Sequence, residues 1–349
     1  MVLDTETSFW QNRSVSHTRV IDRGQKRYQS PNFKANVRSL LMEKTLYFQL
    51  LGTRGSRPVL SRDFVTFGSN TTAYKIWADG MFPLYVDGGS GLFREGARLS
   101  ESITEFTFIL THSHWDHILA FPFFYPFYRR DTTARIWGTA SFKETFEELF
   151  KHQFQTDAFH ITYSEIPAHI AFHTVGGSET FVIPPPGSNP PSKSKSTRPM
   201  YTVSTFQLNH PGIDLGYRIE FGGKAIVVLT DLAPIENNHL GHGMLNFTKN
   251  DEIRYYEGLV EFCRDADLLL HDTHFNEDNI RGKESWGHST EVMAVTLAQH
   301  SHVKKLILGH HAPEDNDQAI FKKLKHAQQL CKSHDLEVHI PEEDEILTL

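Results

Sequence analysis

The sequence predicts a layered α/β protein in which strands and helices are mixed throughout residues 45–349. Short runs rich in β-branched and aromatic residues, which are typical of strands, recur along this region. Segments with apolar residues at helical spacing lie among them. The chain has 349 residues, of which 39% are hydrophobic and 22% are charged, so it can bury a core of ordinary size.

The individual elements follow from these patterns in chain order. Strands are predicted at residues 45–51, 73–77, 84–86, 106–110, 135–137, 216–221, 225–229, 267–270 and 305–308. Helices are predicted at residues 142–154, 252–264, 289–300 and 318–333. The glycine pair Gly222 and Gly223 separates two of the strands, which indicates a hairpin.

Two segments differ from the rest in composition. Residues 1–44 are polar and weakly patterned, so we interpret them as an N-terminal extension outside the main folded domain at residues 45–349. A dimer arm and a disordered tail are both open for this extension. Residues 184–199 are rich in proline, which cannot donate a hydrogen bond to a sheet, so they predict a loop.

The composition also limits the class of protein. The only cysteines are Cys263 and Cys331, too few for a disulfide framework. No apolar run approaches the roughly 18 residues that a membrane span requires, and no secretory signal is evident at the start. We therefore expect a cytoplasmic protein without a membrane partner. The net charge of −7 argues against broad, non-specific nucleic-acid binding.

Several apolar strands end in a residue that can bind a metal or move a proton. Residues 108–111 lead to His112, residues 227–230 to Asp231, residues 268–270 to His271 and Asp272, and residues 306–309 to His310. Ligand sites of α/β sheets form beyond the carboxyl ends of strands, so these runs predict one convergent site. Polar strand ends are common, but that would not explain the repeated choice of histidine and aspartate.

The densest cluster of such residues lies just after the strand at 106–110. It contains His112, His114, Asp116 and His117 within a few positions. So many potential ligands on one turn predict a metal centre, with His112 and His114 facing one way and Asp116 and His117 the other. A purely structural role would be a rare explanation for this crowding.

The cluster resembles His-x-His-x-Asp-His, the signature of the metallo-β-lactamase-fold hydrolases. The segments at Asn209-His210-Pro211-Gly212, Thr230-Asp231 and Leu308-Gly309-His310 resemble later motifs of the same superfamily, in the same order. The resemblance implies an αββα sandwich of two mixed sheets flanked by helices. It also implies two divalent metals, one on His112, His114 and His210 and the other on Asp116, His117 and His310, with Asp231 bridging them.

Further motifs resemble the ribonuclease Z-like branch, which includes tRNA 3′-processing endonucleases and cyclic-nucleotide phosphodiesterases. They are the Gly-rich loop at residues 51–56, His271-Asp272-Thr273-His274-Phe275, and Gly287-His288-Ser289-Thr290. The resemblance implies that His288 contacts the phosphate and that Asp272 orients it. Asp272 stands where that branch has glutamate. The pairing therefore requires the shorter aspartate side chain to reach His288.

We therefore predict a metal-dependent phosphodiesterase in which a metal-bound hydroxide attacks a small, cyclic or linear nucleotide phosphodiester. Asp116, His288 and Asp272 are the expected catalytic residues, and Zn²⁺ is the expected metal, with Mn²⁺ or Fe²⁺ as alternatives. Residues 210–231 leave no room for the long tRNA-gripping arm, so a small substrate is favoured. The alternatives are a tRNA 3′ endonuclease, a lactam or thioester hydrolase, and a metal-bound sensor without turnover.

Weaker candidates surround this site. His311 is expected to lie behind His310, because adjacent side chains of an extended segment point apart. His274 is a candidate substrate contact, although a buried hydrogen-bonded histidine explains it equally well. The aromatic residues between Phe121 and Tyr128 suit a core or a dimer interface better than nucleobase stacking. Family likeness and this run together predict a homodimer.

Overall fold

The computed structural model describes residues 45–139, 144–154, 159–185, 200–234, 248–332 and 335–349. Within them the chain forms two seven-stranded sheets, and helices cover the outer face of each. The predicted α/β sandwich is therefore confirmed. Residues 1–44 lie outside the described residues, and the predicted boundary at residue 45 stays a prediction.

The first sheet has the strand order β14-β1-β2-β3-β4-β5-β6. Strands β3 to β6 run parallel to one another, whereas β1 pairs antiparallel with both β2 and β14. Its strands are β1 (Leu46–Gly52), β2 (Ala73–Ala78), β3 (Leu84–Val86), β4 (Glu105–Ile109), β5 (Thr133–Gly138), β6 (His169–Thr174) and β14 (Ile346–Thr348).

The second sheet has the order β13-β12-β11-β10-β9-β8-β7. Strands β10 to β13 are parallel, and β7 to β10 form an antiparallel meander that includes the predicted hairpin. Its strands are β7 (Thr180–Ile183), β8 (Tyr201–Leu208), β9 (Asp214–Phe221), β10 (Lys224–Leu229), β11 (Leu268–Asp272), β12 (Lys305–Gly309) and β13 (Glu337–His339).

Helices and short 3₁₀ turns occupy the connections. The helices are α1 (Leu92–Arg98), α2 (Trp115–Ile118), α3 (Phe146–His152), α4 (Lys249–Cys263), α5 (Glu291–His300) and α6 (Asp317–Leu330). Helix α4 begins earlier than predicted because Thr248 and Asp251 form a capping box, each side chain bonding the other residue's backbone N–H. No described helix is long and apolar enough to cross a membrane.

Three apolar layers hold the sandwich together. The inner faces of the two sheets pack face to face, with Ile76 and Val86 of the first sheet opposite Ile219 and Val228 of the second in one buried cluster. Alternate strand residues point outward, so Val227 and Leu229 pack instead beneath α4, α5 and α6. The third layer is rich in phenylalanine and lies on the outer face of the first sheet.

The aromatic run contributes to this third layer. Phe121, Phe124 and Phe127 are fully buried, whereas Phe123 and Tyr125 are 58% and 57% exposed. Edge-to-face contacts join Phe124 to Phe106 and Phe108 of β4. The core interpretation of this run is therefore confirmed for the residues that carry most of its apolar area.

Several elements were not predicted. Strand β8 alternates buried residues with threonine, serine and glutamine, and β6 is a half-buried edge strand, so neither shows a long apolar run. Strands β13 and β14 have three residues each, and their pairing partners are distant in sequence. Such strands are stabilised by tertiary pairing, which local sequence patterns do not record.

The loop predicted at residues 184–199, of which 186–199 lie outside the described residues, is expected to contribute little to folding stability. Ile183 and Tyr201, on either side of residues 186–199, are directly paired in the β7–β8 ladder, so a short turn can join them. Because each doubling of loop length changes closure entropy by only about 0.6 kcal/mol, a Gly/Ser linker in place of 186–199 should change the unfolding free energy by less than about 1 kcal/mol.

Urea denaturation measures this change, and Ile219→Ala is the matched positive control. Ile219 is fully buried between the sheets, and its truncation should cost roughly 2–5 kcal/mol. A linker variant as unstable as Ile219→Ala would contradict the prediction.

Candidate metal centre

The predicted ligand residues meet at one edge of the sandwich. Strands β4, β10, β11 and β12 end there, and each is followed by, or ends in, a histidine or aspartate. The ligand atoms of His112, His114, His210 and Asp231 all lie within 4.8 Å of one another. Those of Asp116, His117 and His310 form a second such group, and those of His274, His288 and His310 form a third. The structure therefore brings together every residue predicted from the sequence to bind metal.

The segment after β4 supplies both groups at once because a helix starts within it. His112 lies directly beyond β4, and α2 begins at Trp115, where the His117 N–H donates to the His114 carbonyl. This turn places Asp116 and His117 in the second ligand group, whereas His112 and His114 belong to the first. His114 and Trp115 are exposed, whereas the other residues named here are buried.

Hydrogen bonds fix which nitrogen of two histidines faces the centre. The Nδ1 of His210 lies 2.8 Å from the Gly287 carbonyl oxygen, to which it donates, so its Nε2 points to His114. The Nδ1 of His117 lies 2.9 Å from Asp87 Oδ2, so its Nε2 points inward. His114 is different, because its Nδ1 approaches His210 Nε2 at 3.2 Å. Such contacts fix the imidazole orientation before any ligand binds.

Asp231 lies between the two groups and directs one carboxylate oxygen at each. Its Oδ1 is 3.0 Å from His310 Nε2 and 3.3 Å from His117 Nε2. Its Oδ2 is 3.6 Å from His210 Nε2 and 3.8 Å from His112 Nε2. A carboxylate in this position can bridge two cations.

The donor atoms fit a metal better than they fit each other. The His112 Nε2, His117 Nε2 and Asp231 Oδ1 atoms are buried and form no hydrogen bond with any described residue. Buried polar atoms without partners are costly, and divalent cations held by the two groups would satisfy these atoms. Mixed imidazole and carboxylate donors suit zinc, manganese or iron.

The electrostatics of the site also favour the ligand forms of these side chains. Burial alone would raise the pKa of Asp231, but His310 and His117 outweigh it and hold that pKa well below its ordinary value. Burial lowers the pKa of His210 to about 4, so its imidazole is neutral near pH 7. Ionised carboxylate and neutral imidazole are the forms that bind metal.

His117 differs from the other imidazoles. Burial opposes its protonation, yet Asp116, Asp231 and Asp87 together raise its pKa well above the ordinary value. A cation that binds at His117 therefore displaces a proton that these carboxylates otherwise hold.

Two buried aspartates behind the ligands were missed from the sequence. Asp87 follows β3 and accepts hydrogen bonds from the Thr111 backbone N–H at 2.8 Å and from His117. It obeys the same strand-end pattern as Asp231, so that pattern was sufficient to find it. Asp214 Oδ1 lies 3.5 Å from His112 Nδ1. Asp214 begins a strand instead of ending one, and no local signal marks it.

The Gly-rich loop at residues 51–56 positions the second ligand group. The Ser56 N–H donates to Asp116 Oδ2 at 2.7 Å. Gly55 lies so close to His310 that an added Cβ would be 2.4 Å from the ring. His311 is buried behind this loop with its Nδ1 3.5 Å from Thr273 Oγ1, and it belongs to neither ligand group, as predicted.

Asp272 and His288 form a pair beside the ligand groups. Asp272 Oδ2 lies 3.0 Å from His288 Nδ1, so aspartate reaches the histidine even though glutamate is one carbon longer. Burial opposes protonation of His288, but Asp272, together with Asp231 and Asp116, raises the pKa of this histidine. His274 stacks on His288 with ring centroids 4.2 Å apart.

His271, a candidate in the strand-end pattern, does not join the site. Successive side chains of β11 alternate, so Asp272 faces the centre and His271 faces the helices. There it lines an apolar cavity together with Leu259 and Val292. The strand-end pattern did not specify which of the two neighbours would face inward.

Comparison with known proteins agrees with this geometry. The family described as Beta-lactamase superfamily domain matches residues 92–311, more than half of the chain, and the chain belongs to it. Ribonuclease Z of Methanosarcina acetivorans is 26% identical over 289 residues, which cover 76% of this chain and 87% of the relative. Ribonuclease Z of Haloarcula marismortui is 22% identical over 282 residues, 76% of this chain and 86% of the relative.

Solved structures show the same fold. The metallo-β-lactamase fold protein YhfI from Bacillus subtilis aligns with a TM-score of 0.59 at 17% identity, over 88% of this chain and 100% of that one. The short form of human tRNase Z aligns with a TM-score of 0.54 at 18% identity, over 86% of this chain and 98% of that one. The chain is thus a metal-dependent hydrolase of the metallo-β-lactamase fold.

Gly287 provides a test of how the site is positioned. Its φ of +94° favours glycine, and an added Cβ would lie 2.5 Å from His210 Nδ1. Gly282 has a φ of +79° but an added Cβ meets nothing within 4 Å. Both alanine variants carry the same kind of backbone strain, and Gly287→Ala alone should displace His210. We expect it to weaken zinc affinity roughly 10–100-fold.

Competition with a chromophoric chelator measures the affinity, and the melting temperature of each zinc-free variant reports the shared strain. Equal zinc affinities for Gly287→Ala and Gly282→Ala would show that His210 does not depend on this contact.

Proposed function

We propose that this chain is a dinuclear, metal-dependent phosphodiesterase that hydrolyses a small nucleotide phosphodiester. The observation that carries the proposal is Asp231, whose two oxygens face two separate ligand groups. The Asp272–His288 pair beside them supports a phosphate substrate. The ribonuclease Z relatives, named for a nuclease, support the same class of bond. A homodimer and a cytoplasmic location are part of this proposal.

The residues that would hold the metals are the two groups described above. His112, His114 and His210 would hold one, Asp116, His117 and His310 the other, and Asp231 both. Two divalent cations would supply an activated water, whose pKa zinc can bring from 15.7 to about 7, and would offset negative charge at the phosphate. Zn²⁺ is the expected metal.

Two carboxylates keep the site competent for this chemistry. Asp116 Oδ2 lies 3.3 Å from both His117 Nε2 and His310 Nε2, so this aspartate would orient the reacting water as well as hold a cation. Asp272 orients His288 without belonging to either ligand group.

His288 would then act directly on the phosphate. Its ring lies 5.1 Å from His310 and 5.5 Å from His210, between centroids, next to the ligands yet outside the two proposed metal groups. Because its pKa is raised, it can carry a proton near neutral pH. A protonated imidazole there can neutralise a phosphate oxygen or give its proton to the leaving alkoxide.

The connection between His210 and Asp231 supports a small substrate. Strands β9 and β10 in this connection are joined by the tight Gly222–Gly223 turn, which leaves no arm to grip a folded RNA. We therefore favour a mononucleotide-sized substrate, cyclic or linear. Cleavage of precursor tRNA at its 3′ end is the second candidate, and the names of the ribonuclease Z relatives favour it.

One screen separates these candidates. The zinc-loaded full chain is incubated with bis(p-nitrophenyl) phosphate, 2′,3′- and 3′,5′-cyclic mononucleotides, and a precursor tRNA. We expect hydrolysis of the chromogenic ester and of at least one cyclic nucleotide. If the precursor tRNA is cleaved and no cyclic nucleotide is hydrolysed, the second candidate replaces the first. If no phosphodiester is cleaved at all, both candidates are contradicted.

The metal content is the second prediction. The purified chain should hold two divalent metals less than about 4 Å apart. Asp231→Ala should lower that number and the melting temperature together, because metal binding and folding are coupled. Elemental analysis and thermal denaturation measure both quantities, with exposed Asp278→Ala as the control. Full activity with a single metal would exclude the dinuclear mechanism.

The third prediction concerns His288. His288→Ala should keep both metals and lose roughly 10²–10⁴ in kcat, the scale expected for a positioned acid or charge donor. Asp272→Asn should lose less, and the double variant should be far from additive because the pair acts as one unit. The control is His169→Ala, at an exposed sheet edge.

Substrates with different leaving groups then separate the two roles of His288. A proton donor matters less for p-nitrophenolate, which leaves readily, than for a ribose alkoxide. Equal losses with both would indicate charge stabilisation. A lost metal would show that the ligand assignment is wrong, and full activity would exclude any role at the phosphate.

A further inference from the structure

Beside His288 lies a surface that neither ligand group uses. It consists of the exposed ring of Trp286 and Lys283, backed by the buried ring of Phe275, and we call it the Trp286 platform. We infer that this platform is a subsite on which the base of a nucleotide stacks while its phosphate lies at His288. The inference rests on the proposed function, because it places the phosphate of the ligand at the metal centre.

Ring contacts and chain connectivity link the platform to the centre. The ring centroids of Phe275 lie 6.2 Å from Trp286 and 6.0 Å from His288. Trp286 is followed by Gly287, whose carbonyl oxygen accepts the hydrogen bond from His210, and then by His288. The platform therefore lies within one nucleotide's reach of the place proposed for the phosphate.

The indole of Trp286 is exposed on an ordered turn. It is 58% exposed, although its neighbour Phe275 is only 2% exposed. Backbone hydrogen bonds of 2.8 Å from Lys283 to Ile280, and of 2.9 Å from Trp286 to Lys283, fix the turn. A flat aromatic face held in place by the backbone costs little entropy when a base stacks on it.

The charge at the platform selects an anionic ligand. The Lys283 ammonium lies over the rings of both Phe275 and Trp286, 5.1 Å and 5.6 Å from their respective centroids. No described carboxylate forms a salt bridge with it, so its positive charge is available to an incoming anion. A nucleotide joins a base that stacks to a phosphate that the ammonium attracts.

A second exposed tryptophan lies near the centre and serves as a comparison. Trp115 is 69% exposed and stands between His114 and Asp116. Among the described residues, it has neither an aromatic ring nor a cation stacked against it, in contrast to Trp286. We therefore place the base at Trp286.

Calorimetric titration of the zinc-loaded full chain tests the assignment without requiring turnover. Adenosine monophosphate and inorganic phosphate are the probes. The Kd of phosphate divided by the Kd of adenosine monophosphate, which we call the Kd ratio, isolates the contribution of the base. Trp286→Ala should weaken the binding of adenosine monophosphate roughly 5–100-fold, the scale expected for one base stacked on an aromatic ring. Phosphate should bind as before, and Trp286→Phe should retain most of the affinity.

A short oligoribonucleotide is the third probe, because a base beside a phosphate can come from a mononucleotide or from an RNA end. Dependence on Trp286 for adenosine monophosphate supports the first source, and dependence for the oligoribonucleotide alone supports the second. Trp115→Ala should leave the Kd ratio unchanged. A Kd ratio that falls with Trp115→Ala, and not with Trp286→Ala, would overturn the assignment of the base to Trp286.

The remaining outcomes separate this subsite from the proposed function. Equal weakening of phosphate and adenosine monophosphate by Trp286→Ala, or no weakening of either nucleotide probe, would overturn the subsite. Trp286-dependent nucleotide binding by a chain that cleaves no phosphodiester would contradict the proposed function and leave the subsite standing. Phosphodiester cleavage without any Trp286-dependent nucleotide binding would overturn the subsite and leave the proposed function standing.

Discussion

The candidate site depends on the contacts between the carboxylate of Asp231, just beyond the end of β10, and the imidazoles on either side of it. It is fully surrounded by protein and keeps a low pKa only because His310 and His117 compensate its charge. A buried, unpaired carboxylate would be strongly destabilising. The imidazoles must therefore stay in place, and the contacts behind them, from Asp87 to His117 and from the Gly287 carbonyl to His210, keep them there.

These contacts connect the site to the packing of the whole sandwich. His112, Asp116 and His117 follow a strand of the first sheet, whereas His210, Asp231 and His310 follow strands of the second. The distance between the two halves of the site is set by the apolar layer between the sheets. A change in that layer would alter the spacing of the ligands, so the stability of the fold and the affinity for metal are linked.

Much of this arrangement could be predicted because strand ends are visible in the sequence. Apolar runs that stop at His112, Asp231 and His310 indicate both the strands and the edge at which they meet. The contribution of Asp214 depends on its contact with His112 between the two sheets, and that of Gly287 on a close approach to His210. Neither property is local, and for the same reason the edge strand β6 and the short strands β13 and β14 were not predicted.

Asp272 shows why substrate choice is expected to lie at the periphery of the site. Its Oδ2 accepts hydrogen bonds from His288 and from the Leu232 backbone N–H, the residue directly after Asp231. Its Oδ1 accepts from the His274 N–H at 2.8 Å. One buried carboxylate thus ties the proposed acid to the turn that follows Asp231.

Because Asp272 also accepts these backbone hydrogen bonds, it holds the His288 ring at a defined place beside the two ligand groups. A centre so constrained can treat the phosphates of many esters alike. Discrimination between them then requires contacts with the rest of the substrate, and the exposed aromatic and cationic groups on the 283–286 turn are placed to make them.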